Sequence, residues 1–341
     1  MIKAAVVESP GVVRVRELPE PVAGDYQARC TLLFGSVCAG TDSHLVAGDP
    51  PFCYWLKPPF ILGHESVGRV TAVGAKVRHI KPGDLITRVG CPATGGVGSG
   101  WGGFAEVGIA TDWRAMQEDG VSGWEDLTVQ QVLPDNVDPA EATLFITWRE
   151  TYSYLTRMGM ATGKNLLIIG SGGNGLAFAS HARNLGAEHI TLIGADERRE
   201  DAVRAGAGLA LNYRDNACWD QAREGCPEGY DLVIDVIGKA GLAQQGLGLL
   251  KPGGTLGIYG LDDVGKLTIN PMQAPGTFTF YKGGYAEAEA HDAVLQTYLA
   301  GRLDASVWLD RDKVYSLDTI AEALAAVKNR SQIKPLIQLN S

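Results

Sequence analysis

The segment NLLIIGSGGNGLAFASHARNLGA, Asn165 to Ala187, constrains this chain more tightly than any other. A continuous apolar run of strand length precedes Gly170, Gly172 and Gly175 in GxGxxG spacing, and an amphipathic helical run follows. In that context each glycine has a physical job. Gly170 permits the tight turn, Gly172 lets the backbone approach a pyrophosphate, and Gly175 lets the helix pack closely on the sheet. Gly173 and Asn174 complete the turn, and the helix N-terminus offers unpaired N–H groups to phosphate. The same grammar continues in HITLIG with ERREDAVRAGA, YDLVIDVIG with LAQQGLGLLKPGG, and TLGIYG. Alternating strands and helices with fully apolar strands predict an α/β unit with a doubly wound parallel sheet.

A dinucleotide reader of this kind carries an acidic residue about 20 positions on, at the tip of the second strand, to hold the adenosine ribose. Here the tip is Gly194, with Asp196 beyond it. A glycine leaves room for a 2′-phosphate that Arg198 or Arg199 would pair with, which favours NADP. Asp196 turned inward onto a ribose would instead favour NAD, and both readings stay open.

The first hundred residues follow a different pattern, short apolar strands between Gly, Pro and Asp turns, which predicts a β-rich module. With 341 residues, the chain exceeds one usual core and divides into two domains. A net charge of −9 argues against nucleic acid and anionic membranes, which bind through Lys and Arg, so the expected partner is a small molecule. No apolar run reaches bilayer length, and MIKAAVVESPGVVRV reads as a strand and not as a signal peptide, so the expected location is cytoplasmic. The six cysteines are scattered without a CxxC pair, which fits neither a disulfide framework nor a four-thiolate metal site. His79, His181, His189 and His291 lie in surface-type contexts.

The order of these features, with GHESVGRVTAVGAKVRHIKPGDLI, GGFAEV and LLKPGGTLGIYG, resembles the medium-chain dehydrogenase/reductase superfamily, in its zinc alcohol and polyol dehydrogenase branch. The resemblance implies a GroES-like catalytic domain over residues 1–150 and 298–341 and a Rossmann-type dinucleotide-binding domain over 151–297. It also implies hydride transfer with NAD or NADP, an active site in the cleft, and a homodimer joined at sheet edges, for which GTLGIYG and GTFTFYKGG are candidates.

Against the branch's zinc pattern, Thr41 and His44 in GSVCAGTDSHL keep the spacing of a proton relay, and Gly63, His64 and Glu65 match Gly-His-Glu. Cys38 stands one residue early, which on an extended segment turns a side chain to the opposite face. The further ligand position falls on Ile146, which binds no cation, and the lobe of the structural zinc is reduced to GCPATGGVGSGWGG with only Cys91. The expectation is therefore an active site without structural zinc and without catalytic zinc, served by protein proton donors: Thr41, His44, Glu150 and Tyr152. Glu150 has the alternative of pairing with Arg149 or Arg157, and Tyr152 of packing in the core. The competing reading is a bulged loop in which Cys38, His64 and Glu65 still hold zinc. A third is a relative that binds nucleotide without turnover. For the substrate, the aromatic-rich VAGDPPFCYWLKPPF with Trp101 and Trp148 leaves alcohol, sugar, imine and activated alkene all open.

Overall fold

Short strands broken by turns pair mostly antiparallel in the N-terminal half of the computed structural model, which describes residues 1–340. One compact unit comprises Met1–Ile146 and the segment from Trp308 onward; the other is Thr147–Val307. The first joint falls inside a continuous helix, Phe145–Arg157, which gives a sequence pattern no break to mark.

In the first unit, β1 (Gln27–Ser36) is the organising strand. It pairs along its length with β2 (Glu65–Val73). Its other edge is shared between Val107–Thr111 and the C-terminal strand Leu336–Gln338. A four-stranded sheet of Val12–Leu18, Ile2–Ser9, Phe60–Ile61 and Gly98–Ser99 completes the unit. Val6, Leu32, Ile61, Phe104 and Ile337 are buried in one core. Alternation along each strand sends these apolar side chains to the inner face. Beyond β1 the chain turns at Ala39 and Gly40 into the short helix α1 (Thr41–Ala47).

The second unit begins on α2 (Phe145–Arg157) and continues through β3 (Asn165–Ile169), α3 (Gly173–Asn184), β4 (His189–Gly194), β5 (Leu209–Asn212), β6 (Tyr230–Asp235), β7 (Leu250–Ile258) and β8 (Thr279–Tyr281). All six strands run parallel in the order β5-β4-β3-β6-β7-β8. The order reverses between β3 and β6, the switch point outside whose carboxyl ends such sheets bind ligands. The helix expected over LAQQGLGLLKPGG is shorter. It ends at Leu247, and LKPGG opens β7 instead, because Gly248, Pro252 and Gly253 supply little helix propensity.

Arg149, fully buried, bonds Glu287 at 2.8 Å, and Arg157 bonds Glu289 at 2.6 and 2.7 Å. One expectation about the histidines is corrected here. His181 and His291 are buried and not on the surface, because each lies on the inward face of its helix.

Candidate active site

In the second unit the glycine turn has the geometry that dinucleotide binding requires. Gly170 has φ of 122°, and a Cβ at Gly175 would lie 1.9 Å from the Gly170 carbonyl oxygen, so helix and strand approach as only glycine allows. Gly172 caps α3, and nothing lies within 4 Å of where its Cβ would be, leaving open space at the helix N-terminus. Gly173 and Asn174 form the first turn of α3. At the tip of β4 one detail differs from the sequence reading. A Cβ at Gly194 would meet Ser171 Cβ at 2.3 Å, so the room beside this glycine is filled by serine, whose hydroxyl accepts from the Ala195 N–H at 3.0 Å. Asp196 is half-exposed and bonded by Arg199 at 2.9 and 3.0 Å, while Arg198 lies 3.4 Å from Asp201. Both arginines line a shallow hollow with Gly194, Ala195 and Asp196.

In the first unit the ligand atoms of Cys38, His64 and Glu65 all lie within 4.8 Å of one another, and all three residues are buried. This corrects the expectation that Cys38 points away. Cys38 is not on an extended strand, since β1 ends at Ser36 and the chain bends before α1. The Asp42 carboxylate fixes that bend, accepting the Cys38 N–H at 2.8 Å. With its other oxygen Asp42 holds His64 Nδ1 at 3.0 Å, which leaves Nε2 turned to the Glu65 side, 3.9 Å from Oε1. A buried carboxylate on the far nitrogen is the arrangement that orients a metal-binding imidazole. Burial presses the His64 imidazolium down, but the Asp42 charge and the bonds to Asp42 and Cys38 outweigh it and hold the group well above its ordinary pKa.

Glu65 is held as firmly. Ser36 Oγ donates to its Oε2 at 2.7 Å, and the buried Lys334 Nζ donates to both oxygens at 2.6 and 2.5 Å. Strand register explains the meeting, because Ser36 stands opposite both Glu65 and Leu336, and Lys334 precedes Leu336 by two residues. Burial works against the Lys334 ammonium, but the charges of Glu65, Cys38 and Asp42 raise its pKa. Lys334 and Asp42 are the site residues that sequence reasoning missed. Asp42 was visible in GTD, though only as a landmark, whereas a lysine 269 positions from its partner leaves no local signal.

The residue set fits a divalent cation of the zinc class. One sulfur, one imidazole nitrogen and one carboxylate oxygen make the three protein ligands of a catalytic site. Asp42 and Glu65 place two carboxylates at this depth beside the His64 imidazole and the Lys334 ammonium, and buried charge is tolerated only when it is paired in this way. Ile146 is buried and contributes no ligand.

The four expected proton donors divide between the units, Thr41 and His44 in the first and Glu150 and Tyr152 in the second. Thr41 opens α1, and His44 follows one turn later with Nδ1 3.7 Å from an Asp49 oxygen. Glu150 accepts the Tyr259 hydroxyl at 3.0 Å on one face of α2. Tyr152 stands on a different face, edge-on to His181 with ring centroids 5.4 Å apart. Trp148 is buried beside Tyr298, with centroids 5.9 Å apart, as a core residue.

Comparison with known proteins agrees with this geometry. Residues 29–119 match the alcohol dehydrogenase GroES-like domain, and residues 173–280 match the zinc-binding dehydrogenase domain. The chain is 30% identical over 267 residues to L-threonine 3-dehydrogenase of Streptomyces coelicolor, covering 76% of this chain and 77% of that protein. It is 25% identical to D-arabinitol dehydrogenase 1 of Uromyces fabae, over 91% of this chain and 90% of that one. A protein of Sinorhizobium meliloti 1021, described as a zinc-binding dehydrogenase and solved bound to NADP, superposes with a TM-score of 0.78 at 23% identity over 99% of both chains. With a GroES-like unit, a doubly wound dinucleotide fold and dehydrogenases of small molecules as relatives, the chain belongs to the zinc-type medium-chain dehydrogenase/reductase superfamily and is an NAD(P)-dependent oxidoreductase.

Proposed function

We propose that the protein is an NADP(H)-dependent, zinc-assisted dehydrogenase that interconverts an alcohol and its carbonyl compound. The observation that carries this reading is the meeting of the Cys38, His64 and Glu65 ligand atoms within 4.8 Å, in place of the displaced thiol expected from sequence spacing. Zinc held by these three residues would supply Lewis-acid polarisation of the substrate oxygen. The chain's own groups prepare the site. Asp42 accepts the hydrogen bond of the Nδ1 proton and so fixes the ring orientation in which Nε2 is the nitrogen that would face the metal, and Ser36 with Lys334 hold the Glu65 carboxylate in place on the His64 side. Thr41 and His44, one helical turn apart, carry the proton between substrate oxygen and solvent. Glu150 orients Tyr259 at the carboxyl end of β7, and Tyr152 serves packing.

The cofactor preference rests on β4. Its tip offers no carboxylate to a ribose diol, Asp196 is tied to Arg199, and two guanidinium groups flank the hollow. The Sinorhizobium relative was solved with NADP. A homodimer joined at β8, the outer strand of the sheet, and a reducing cytoplasmic setting for the thiolate ligand complete the reading.

Elemental analysis with chelation tests the metal. One zinc per chain, loss of turnover on chelation, recovery with added zinc, and a metal-poor His64→Ala variant are expected. Full turnover by metal-free protein would return the proton donors Thr41, His44 and Glu150 to the centre of the mechanism. For the cofactor, NADPH should bind at least tenfold tighter than NADH, with the margin reduced in Arg199→Ala; equal or tighter NADH binding would reverse that assignment.

A further inference from the structure

We propose that the substrate carries an aryl or similarly flat apolar group, received by a wall of Phe52, Trp55 and Trp101 beside His64. The inference rests on the reading of Cys38, His64 and Glu65 as the reacting centre. Three rings form a triangle. Trp55 and Trp101 meet edge-to-face with centroids 5.6 Å apart, Phe52 and Trp101 at 6.1 Å, and Phe52 and Trp55 at 6.5 Å. The Trp101 ring is in turn 5.7 Å from the His64 ring, so the wall reaches the ligand cluster without a gap.

The placement of Trp101 is built in. Its loop is clamped by the Cys91 N–H donating to the Gly102 carbonyl at 2.9 Å and by Ser99 Oγ donating to the Cys91 carbonyl at 2.7 Å. The Gly103 N–H donates to the Gly63 carbonyl at 2.8 Å, tying the loop to the residue before His64. A Cβ on Gly90 would fall 1.6 Å from the Trp101 carbonyl oxygen, so the close approach depends on glycine. The Arg88 guanidinium caps the Trp101 ring at 5.7 Å. The segment GCPATGGVGSGWGG, too short to hold a structural metal with its single cysteine, thus supplies a fixed indole to the site.

Trp55 departs from ordinary packing, since it is 56% exposed while two other rings hold it in place. Large rings kept open and rigid beside a reactive centre mark a binding face. The chemistry of the wall chooses the ligand. Pro50 to Leu56 contains no Asp, Glu, Asn, Gln, Lys or Arg, so it offers no side-chain carboxylate, amide or cation to the hydroxyls of a polyol or the charges of an amino acid. A polar substrate pressed against the Phe52 and Trp55 rings would lose hydrogen bonds to water without replacement from this segment, whereas an aromatic ring gains edge and face contacts.

The test uses the full chain with zinc and NADP(H). Rates for benzyl alcohol and butane-2,3-diol are compared in the parent, Trp55→Ala and Trp55→Phe proteins. Benzyl alcohol should exceed the diol at least tenfold in kcat/KM, and Trp55→Ala should reduce that ratio at least tenfold while Trp55→Phe retains most of it. A preference for the diol, or a ratio indifferent to Trp55→Ala, would overturn the proposal. If no alcohol is turned over, the zinc-dehydrogenase reading fails, and calorimetric titration of benzyl alcohol decides the wall separately. Saturable binding weakened at least tenfold by Trp55→Ala upholds it, and absence of binding refutes it.

Discussion

Asp42 and Lys334 make the difference between three separate side chains and one site. Neither belongs to the proposed ligand set, yet one fixes the bend that brings Cys38 in and aims His64, and the other neutralises Glu65. Replacing Asp42 by Ala removes the support of the imidazole and should lower zinc affinity roughly 10–100-fold, read by competition with a fluorescent chelator. Lys334→Met removes the ammonium from which both oxygens of the buried Glu65 accept. Breaking a buried pair from one side costs about 3–5 kcal/mol, so urea denaturation should show a loss of that order. The double change with Glu65→Gln should recover part of it. Cys38 shows why spacing misled. Counting residues assumes an extended backbone, and a carboxylate-fixed turn breaks that assumption.

Helices α2 and α3 show how much an element's face decides. Glu150 and Tyr152 are two positions apart, which on a helix sets them on different sides, so they were never a pair of donors. His181 on α3 is 1% exposed, its Nε2 has no hydrogen-bond partner, and burial pushes its pKa down to about 3. The unfolded chain takes up a proton near pH 6.5 that the folded chain refuses until about pH 3. The folded state is therefore at full strength above pH 6.5 and loses ~1.4 kcal/mol per pH unit below it. Denaturation at pH 7 and pH 5 should differ by about 2 kcal/mol on this account alone. In His181→Phe that difference should shrink by the same amount.

At the scale of the whole molecule, β8 leaves the six-stranded sheet with an open edge that carries Phe280, 42% exposed. An edge of this kind is a template for pairing unless another chain covers it. Solution scattering at micromolar concentration should give twice the 36.2 kDa chain mass, and Phe280→Lys should return it to one chain.

The doubly wound sheet, its glycine turn and the β-rich module were legible in the order of residues, because strand alternation, helix period and close-approach glycines are local properties. Gly170, Gly172 and Gly175 needed no partner to be read. The state of the candidate metal site was not legible. Whether Cys38 reaches His64 depends on a bend held by Asp42, and whether Glu65 stays charged depends on Lys334, brought from the far end of the chain by the register of three strands. Trp101 likewise became a neighbour of His64 only through a loop pinned to Gly63, some forty positions earlier in the chain. Local periodicity determines which elements form. The contacts that create a reactive site join residues far apart in sequence, and only packing in three dimensions decides them.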